Sequence, residues 1–212
     1  MRKQKSGELY HSEKTKKSVN PTIVGAKKVQ SLNNYLLFRD CLYYGGKMKT
    51  LKLYYIDDKY IEYLRKFDSK VFYNKKKTRP YVGVVYTFNN HTYFAPLSSP
   101  KAKHLKMNSL ALDIFKINDG KYGIVNINNM IPVPKGCLVG AIANTVDLRY
   151  RNLLILQTHY LNIDRERLLD KVKQFQYLYK RKFLPKSILD RCCDFALLED
   201  KCKEYENNLV LN

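Results

Sequence analysis

Ser98, Ser99, Lys101, Lys103 and His104 fall within seven positions of one another, in the stretch Ala-Pro-Leu-Ser-Ser-Pro-Lys-Ala-Lys-His (95–104). Hydroxyls orient a phosphate, ammonium groups neutralise it, and an imidazole exchanges a proton near neutral pH. The stretch closes a run of β-branched and aromatic residues. Pro100 cannot donate a ladder hydrogen bond, so the chain turns out of a sheet at Ser98-Ser99-Pro100. Hydroxyls and cations are then left at the sheet's rim, where a phosphodiester can be held. An ordinary polar loop after a strand has the same composition, so the rest of the chain must decide.

The chain of 212 residues carries 39 Lys+Arg against 19 Asp+Glu, a formal charge of +20. Such an excess calls for an acidic partner, and nucleic acid is the commonest. A membrane is the rival, but no apolar run approaches the roughly 20 residues of a spanning helix. The N-terminus lacks a continuous apolar core and does not read as a signal peptide. Cys41, Cys137, Cys192, Cys193 and Cys202 show no C-x-x-C spacing. Their odd number and scatter fit reduced thiols in a cytoplasm.

The catalytic inventory is narrow. His11, His91, His104 and His159 have no metal-like neighbours, and no carboxylate cluster or Gly-rich phosphate loop occurs. A metal nuclease needs several acids to hold its ions. A metal-free ribonuclease needs less, because the RNA's own 2′-hydroxyl is the nucleophile. The protein must align that hydroxyl, stabilise charge on the phosphoryl oxygens and help the leaving 5′-oxygen. No metal and no cofactor is expected.

The elements that must position this chemistry begin at Met48. Residues 1–47 hold ten lysines and arginines against three acids, a net of +7, with little aliphatic periodicity in the first thirty. They read as a basic, flexible extension, with one short element over 32–44 and a Gly45-Gly46 joint. Met48 is itself a candidate start. Residues 48–212 read as the functional domain. Lys52–Ile56 is a strand, and Asp57 caps a helix carrying Tyr60, Ile61, Leu64 and Phe67 on one face. A loop over 69–79 holds Lys75, Lys76, Lys77 and Arg79. Tyr81–Phe88 and His91–Leu97 form a hairpin about Asn89-Asn90. Ala111–Ile117 and Tyr122–Asn126 form a second, about Asn118-Asp119-Gly120. Met130–Val133 is an edge strand. Helices follow over 147–161, with Leu148, Leu153, Leu156 and Tyr160, and over 164–182, with Leu168, Val172, Phe175 and Tyr179. A last helix runs from Pro185 to about Tyr205, opened by a Ser187–Asp190 capping box, with Cys192 and Cys193 on a packed face. The class is α+β: a curved antiparallel sheet with flanking helices and a helical C-terminal third.

Six blocks in one order carry a resemblance. They are Y-Y-I-D-D-K-Y-I-E-Y-L-R-K-F-D-S-K-V (54–71), R-P-Y-V-G-V-V (79–85), Y-F-A-P-L-S-S-P-K (93–101), Y-G-I-V-N-I-N-N-M-I-P-V (122–133), Y-R-N-L-L-I-L-Q (150–157) and F-A-L-L-E (195–199). From about residue 49 to 206 the chain resembles the ToxN/AbiQ family, the endoribonuclease toxins of type III toxin–antitoxin systems. The resemblance implies a compact, barrel-like curved sheet and metal-free RNA cleavage that leaves a cyclic phosphate and a 5′-hydroxyl. It implies two kinds of RNA partner. One is an antitoxin of structured, pseudoknotted repeat RNA, processed by the toxin and joined with it in a closed protein–RNA assembly. The other is cellular or phage mRNA, cut in the cytoplasm during abortive infection.

Carried onto this chain, the family's catalytic serine falls at Ser99, the hydroxyl before it at Ser98 and the lysine after proline at Lys101. Where the family has an upstream lysine, this chain has Arg79, which keeps the charge but cannot readily release a proton. The family's early tyrosine falls at Tyr54 or Tyr55, with the Tyr-x-Ile register favouring Tyr54, and its helix-opening tyrosine falls at Tyr150. Lys103, His104, Arg151 and Lys75-Lys76-Lys77 complete the candidate RNA contacts. Arg79 also leaves a second reading open: a basic RNA-binding module that does not cleave. A DNA-binding protein with a basic arm is a third.

Overall fold

A computed structural model describes residues 50–74 and 79–210. The 1–47 extension and Lys75, Lys76 and Lys77 lie outside the described residues.

Strand β1 (Lys52–Ile56) buries Leu53 and Ile56. The Asp57 carboxylate then accepts from the Lys59 amide at 2.7 Å, satisfying one of the free donors at the start of helix α1 (Asp58–Arg65). The helix buries Tyr60, Ile61 and Leu64. Phe67, expected on the same face, lies past the helix end and is 40% exposed. Strands β2 (Tyr81–Phe88) and β3 (His91–Ser98) pair antiparallel about Asn89 and Asn90. Both asparagines have positive φ, 45° and 67°. That matches the strand twist in a two-residue hairpin.

Short helix α2 (Ala102–Lys106) follows β3. The next hairpin, β4 (Ile114–Lys116) and β5 (Ile124–Asn126), is shorter than its sequence pattern suggests. Its strands stop because residues 117–123 form a wide loop. Strand β6 (Ile131–Pro132) pairs with β3, as a proline-bearing edge strand should. Strand β7 (Leu138–Gly140) pairs with β1. The sheet order is β4-β5-β3-β2-β1-β7, with β6 also on β3, and every pairing is antiparallel. Among the described residues the two ends do not meet, so the core is an open sheet rather than a barrel. The α+β class holds.

The C-terminal third is helical: α3 (Leu148–Ile163), α4 (Arg165–Lys180), α5 (Lys186–Leu189) and α6 (Phe195–Val210). On α4 the periodic residues Leu168, Val172 and Phe175 are buried. On α3 the inward face is Leu154, Gln157 and Leu161. Leu148 and Leu156, expected inside, are 68% and 39% exposed, because α3 is apolar on several sides and periodicity alone picked the wrong one. The expected continuous helix from Pro185 breaks over 190–194. The Cys193 amide donates to the Asn128 carbonyl at 2.9 Å and the Asp194 amide to Asp68 Oδ2 at 2.8 Å. Those long-range bonds take donors a helix would have used. Asp194 then caps α6 by accepting from the Leu197 amide. Helix α5 starts at Pro185 without a side-chain cap, so the Ser187–Asp190 box does not form. Cys192 and Cys193 are buried in this break rather than on a helix face.

Candidate active site

The end of β3 is fixed from three sides. Leu97 pairs with Val125 and Ser98 with Ile124 on β5. The Leu97 amide donates to the Pro80 carbonyl at 2.9 Å. Asn126 donates from Nδ2 to the Pro96 carbonyl at 2.9 Å and to Ser98 Oγ at 3.1 Å. Pro100 ends the ladder, and Lys101 in extended conformation begins α2. Ser99 therefore sits at the first free position beyond the sheet. It is exposed, and its hydroxyl has no hydrogen-bond partner among the described residues.

Gly123 sets the height of this loop. It has φ of +96°, and a Cβ on it would stand 2.1 Å from the Ser98 carbonyl oxygen. Any side chain there displaces the Ser98–Ser99 peptide.

Ser98 and Ser99 open onto a groove of about 990 Å³. Lys101, Lys103, His104, Arg79 and Tyr150 also line it. Arg79 is held rigidly. Its Nε donates to the Tyr73 carbonyl at 3.0 Å, its Nη1 to the Leu97 carbonyl at 3.1 Å, and its guanidinium lies 4.7 Å from the centre of the Phe72 ring. Burial lowers its pKa, while Tyr81 and Tyr150 act the other way. Two of five guanidinium donors are committed to carbonyls, and the others remain for an anion.

Tyr150 stands in the first turn of α3, where the Asp147 carboxylate accepts from its amide at 2.6 Å. Burial and neighbouring Tyr55 push the phenol up to about 12, with Arg79 opposing. Tyr150 thus keeps its proton at neutral pH. Tyr55, rather than Tyr54, is the β1 tyrosine beside it. Thr145 Oγ1 donates to the Ala141 carbonyl at 2.7 Å, so the Tyr55 hydroxyl, 2.6 Å from Thr145 Oγ1, is the donor in that pair. Arg151 Nε donates to the Thr145 carbonyl at 2.8 Å. Tyr55 and Arg151 thereby brace the turn that presents Tyr150, and Arg151 does not line the groove. Tyr54 packs edge-on against Phe94, with ring centres 5.5 Å apart, also away from the groove.

The groove continues past this cluster to residues given no role from sequence. Buried Asp113 accepts from Arg191 Nε and Nη2, each at 2.8 Å. Arg65 and Lys70 line the same stretch. Asn126 and Gly123 stood in a quoted block but without a role. The signal that marks them is the Gly-Lys-Tyr-Gly spacing after a short strand, which demands two unusual backbone turns. Among the described residues, no three His, Cys, Asp or Glu side chains gather as a metal set. No helix there is long and apolar enough to cross a membrane.

Residues 52–203 match the family described as Toxin ToxN, type III toxin–antitoxin system. The chain is 39% identical over 168 residues to Endoribonuclease ToxN of Bacillus thuringiensis subsp. kurstaki, covering 73% of this chain and 84% of that protein. It is 33% identical over 168 residues to Endoribonuclease AbiQ of Lactococcus lactis subsp. lactis, covering 74% and 90%. Among solved structures, it matches one from a bacterial type III system whose toxin is selectively inhibited by a non-coding RNA pseudoknot. The TM-score is 0.63 at 38% identity, over 74% of this chain and 99% of that one. It matches the lactococcal anti-phage endoribonuclease AbiQ with a TM-score of 0.63 at 31% identity, over 75% and 99%. With a family match over residues 52–203 and these relatives, the chain belongs to the ToxN toxin family of type III toxin–antitoxin systems.

Proposed function

We propose that the groove at the end of β3 is the active site of an endoribonuclease toxin that is held in check by an RNA antitoxin. The observation that carries the reading is the placement of Ser99. Its free hydroxyl stands on a rigid turn, at the mouth of a groove that also holds Arg79, Lys101 and Tyr150. Phosphate binding needs fixed donors aimed at one point, and this turn supplies them without reorganisation.

In this reading the substrate's 2′-hydroxyl gives up its proton to water as its oxygen bonds to phosphorus, and the P–O5′ bond breaks, leaving a 2′,3′-cyclic phosphate and a 5′-hydroxyl. Ser99 and the free donors of Arg79 hold the phosphoryl oxygens. Lys101, the cation on the serine's own turn, neutralises the phosphate and supplies the proton that O5′ takes as it leaves. Tyr150 donates a hydrogen bond or stacks on a base. Arg79 serves as a fixed charge, so its lack of a removable proton does not turn the site into a mere binder. No metal is required, because each of these jobs belongs to a side chain. The substrate is mRNA of cell or phage. Repeat antitoxin RNA is cut by the same groove, stays in it, and links protein copies into a closed assembly. Such a toxin acts in the cytoplasm, where its RNA is.

Ser99→Ala tests the reading. Loss of one donor to the reacting phosphate costs a factor of roughly 10²–10³ in cleavage. Antitoxin RNA binding persists, because many cations share it. A Ser99→Ala protein that cleaves RNA at the wild-type rate would reduce the serine to a turn former.

A further inference from the structure

His104 combines near-total burial with a place on the groove. Its residue is 1% exposed, yet it lines the cavity beside Lys101 and Lys103. It lies one turn into α2, where its amide donates to the Lys101 carbonyl at 2.9 Å. Its own carbonyl is clamped by Gly120: a Cβ there would approach to 2.6 Å, and Gly120 has φ of +92°. One loop thus fixes both backbones, that of the histidine and that of the serine turn. Gly120 lies under His104, and Gly123 under Ser98–Ser99.

The two ring nitrogens are not equivalent. Nδ1 is shut away from solvent and has no hydrogen-bond partner. That leaves the Nε2 edge as the one that meets the groove. A buried N–H without an acceptor is tolerated less often than a buried acceptor without a donor. The neutral ring therefore carries its proton on Nε2. A second proton, on Nδ1, would create that orphan N–H. Burial opposes it too, as do Lys103 and Lys101, and these lower the pKa. An imidazolium general acid is a poor fit to such a place. A neutral donor pointing at a phosphate is a good one.

We propose that His104 is a further catalytic residue of this site, donating a hydrogen bond from Nε2–H of its neutral ring to a non-bridging oxygen of the scissile phosphodiester. The inference rests on the ribonuclease reading above. It adds a second uncharged donor to the groove that Ser99 also lines, where Lys101 and Lys103 supply the charge.

Two measurements on the full-length protein test it. In the first, single-turnover RNA cleavage is compared for wild type, His104→Gln and His104→Leu, each checked for an unchanged melting transition. Glutamine keeps an N–H at the reach of Nε2, and leucine fills the space without one. The leucine variant should lose roughly 10²-fold in the cleavage step while RNA affinity changes little, and glutamine should restore much of the loss. Equal loss in both variants, or none in either, overturns the proposal. The second measurement uses ¹⁵N-histidine NMR of wild-type protein near neutral pH, with the His104 signal assigned from His104→Gln. The expected spectrum shows a neutral Nε2–H tautomer whose Nε2 shift moves on adding a short RNA carrying 2′-fluoro at every position, which cannot be cut. An Nδ1–H tautomer, a charged ring or an unmoved Nε2 signal overturns the proposal, and so decides it even if His104→Leu fails to fold. If wild type cuts no RNA, the ribonuclease reading fails, and the NMR result still says whether His104 is a donor to bound RNA.

Discussion

At the scale of single residues, the groove separates polar groups already engaged from those left open. Ser98 is occupied by Asn126, whereas the Ser99 hydroxyl has no partner among the described residues. The family resemblance places the catalytic serine at Ser99, but residue types alone do not separate the two hydroxyls, because the difference depends on Asn126, a partner 28 residues away. The Tyr-x-Ile register favours Tyr54, yet Tyr55 is the tyrosine that neighbours Tyr150. Only the pairing of β1 with β7 decides which of them faces Thr145 and Tyr150. Two predictions belong here. Arg79→Lys removes two hydrogen bonds to carbonyls, each worth about 1.5–3 kcal/mol when the donor is charged. Thermal melting should show a clear loss of stability and kinetics a lower cleavage rate, although the charge is retained. A variant with undiminished rate and stability would mean that the pinned fork is irrelevant. Tyr150→Phe removes a phenol that stays protonated up to about pH 12. Cleavage should fall by about tenfold or less, the worth of a single uncharged hydrogen bond. Its pH profile between 6 and 9 should keep the wild-type shape, because no titrating group is lost.

At the scale of elements, the loop over 117–123 does the positioning. Asn118, Asp119, Gly120 and Gly123 all have positive φ. Gly123→Ala would strain the backbone and push a Cβ into the Ser98 carbonyl, so it should destabilise by more than about 1 kcal/mol. It should also lower cleavage more than RNA binding, a split read by comparing rates with filter-binding affinities. Unchanged cleavage would show that the serine turn does not rest on this loop. The sequence revealed β1, the β2–β3 hairpin and α4 because each carries its own local signal: a period, a cap or an Asn-Asn turn. It concealed β7, only three residues long and paired with a strand more than eighty residues earlier. It also concealed the break before α6, where apolar spacing runs on while the amides of Cys193 and Asp194 bond to distant partners.

At the scale of the whole molecule, buried thiols set the alkaline limit. Burial raises Cys192 to about 12 and Cys137 and Cys202 to about 11, from an ordinary 9.0. A raised folded-state value favours the protonated form. The contribution to stability is therefore complete below about pH 9 and declines as pH rises through the folded values. Melting temperature should fall as pH rises from about 9 toward 11, and a flat profile would contradict thiols buried in this way. The charge of +20 should make RNA affinity fall steeply with salt. The family match begins at residue 52, so a protein starting at Met48 should keep cleavage and lose some of that salt slope. The most direct test of the account is to map the ends of RNA cut by the full-length protein in excess EDTA. Cleavage should persist and leave 5′-hydroxyl ends with 2′,3′-cyclic phosphates. Cleavage that needs Mg²⁺, or products bearing 5′-phosphates, would contradict 2′-hydroxyl attack in the Ser99 groove.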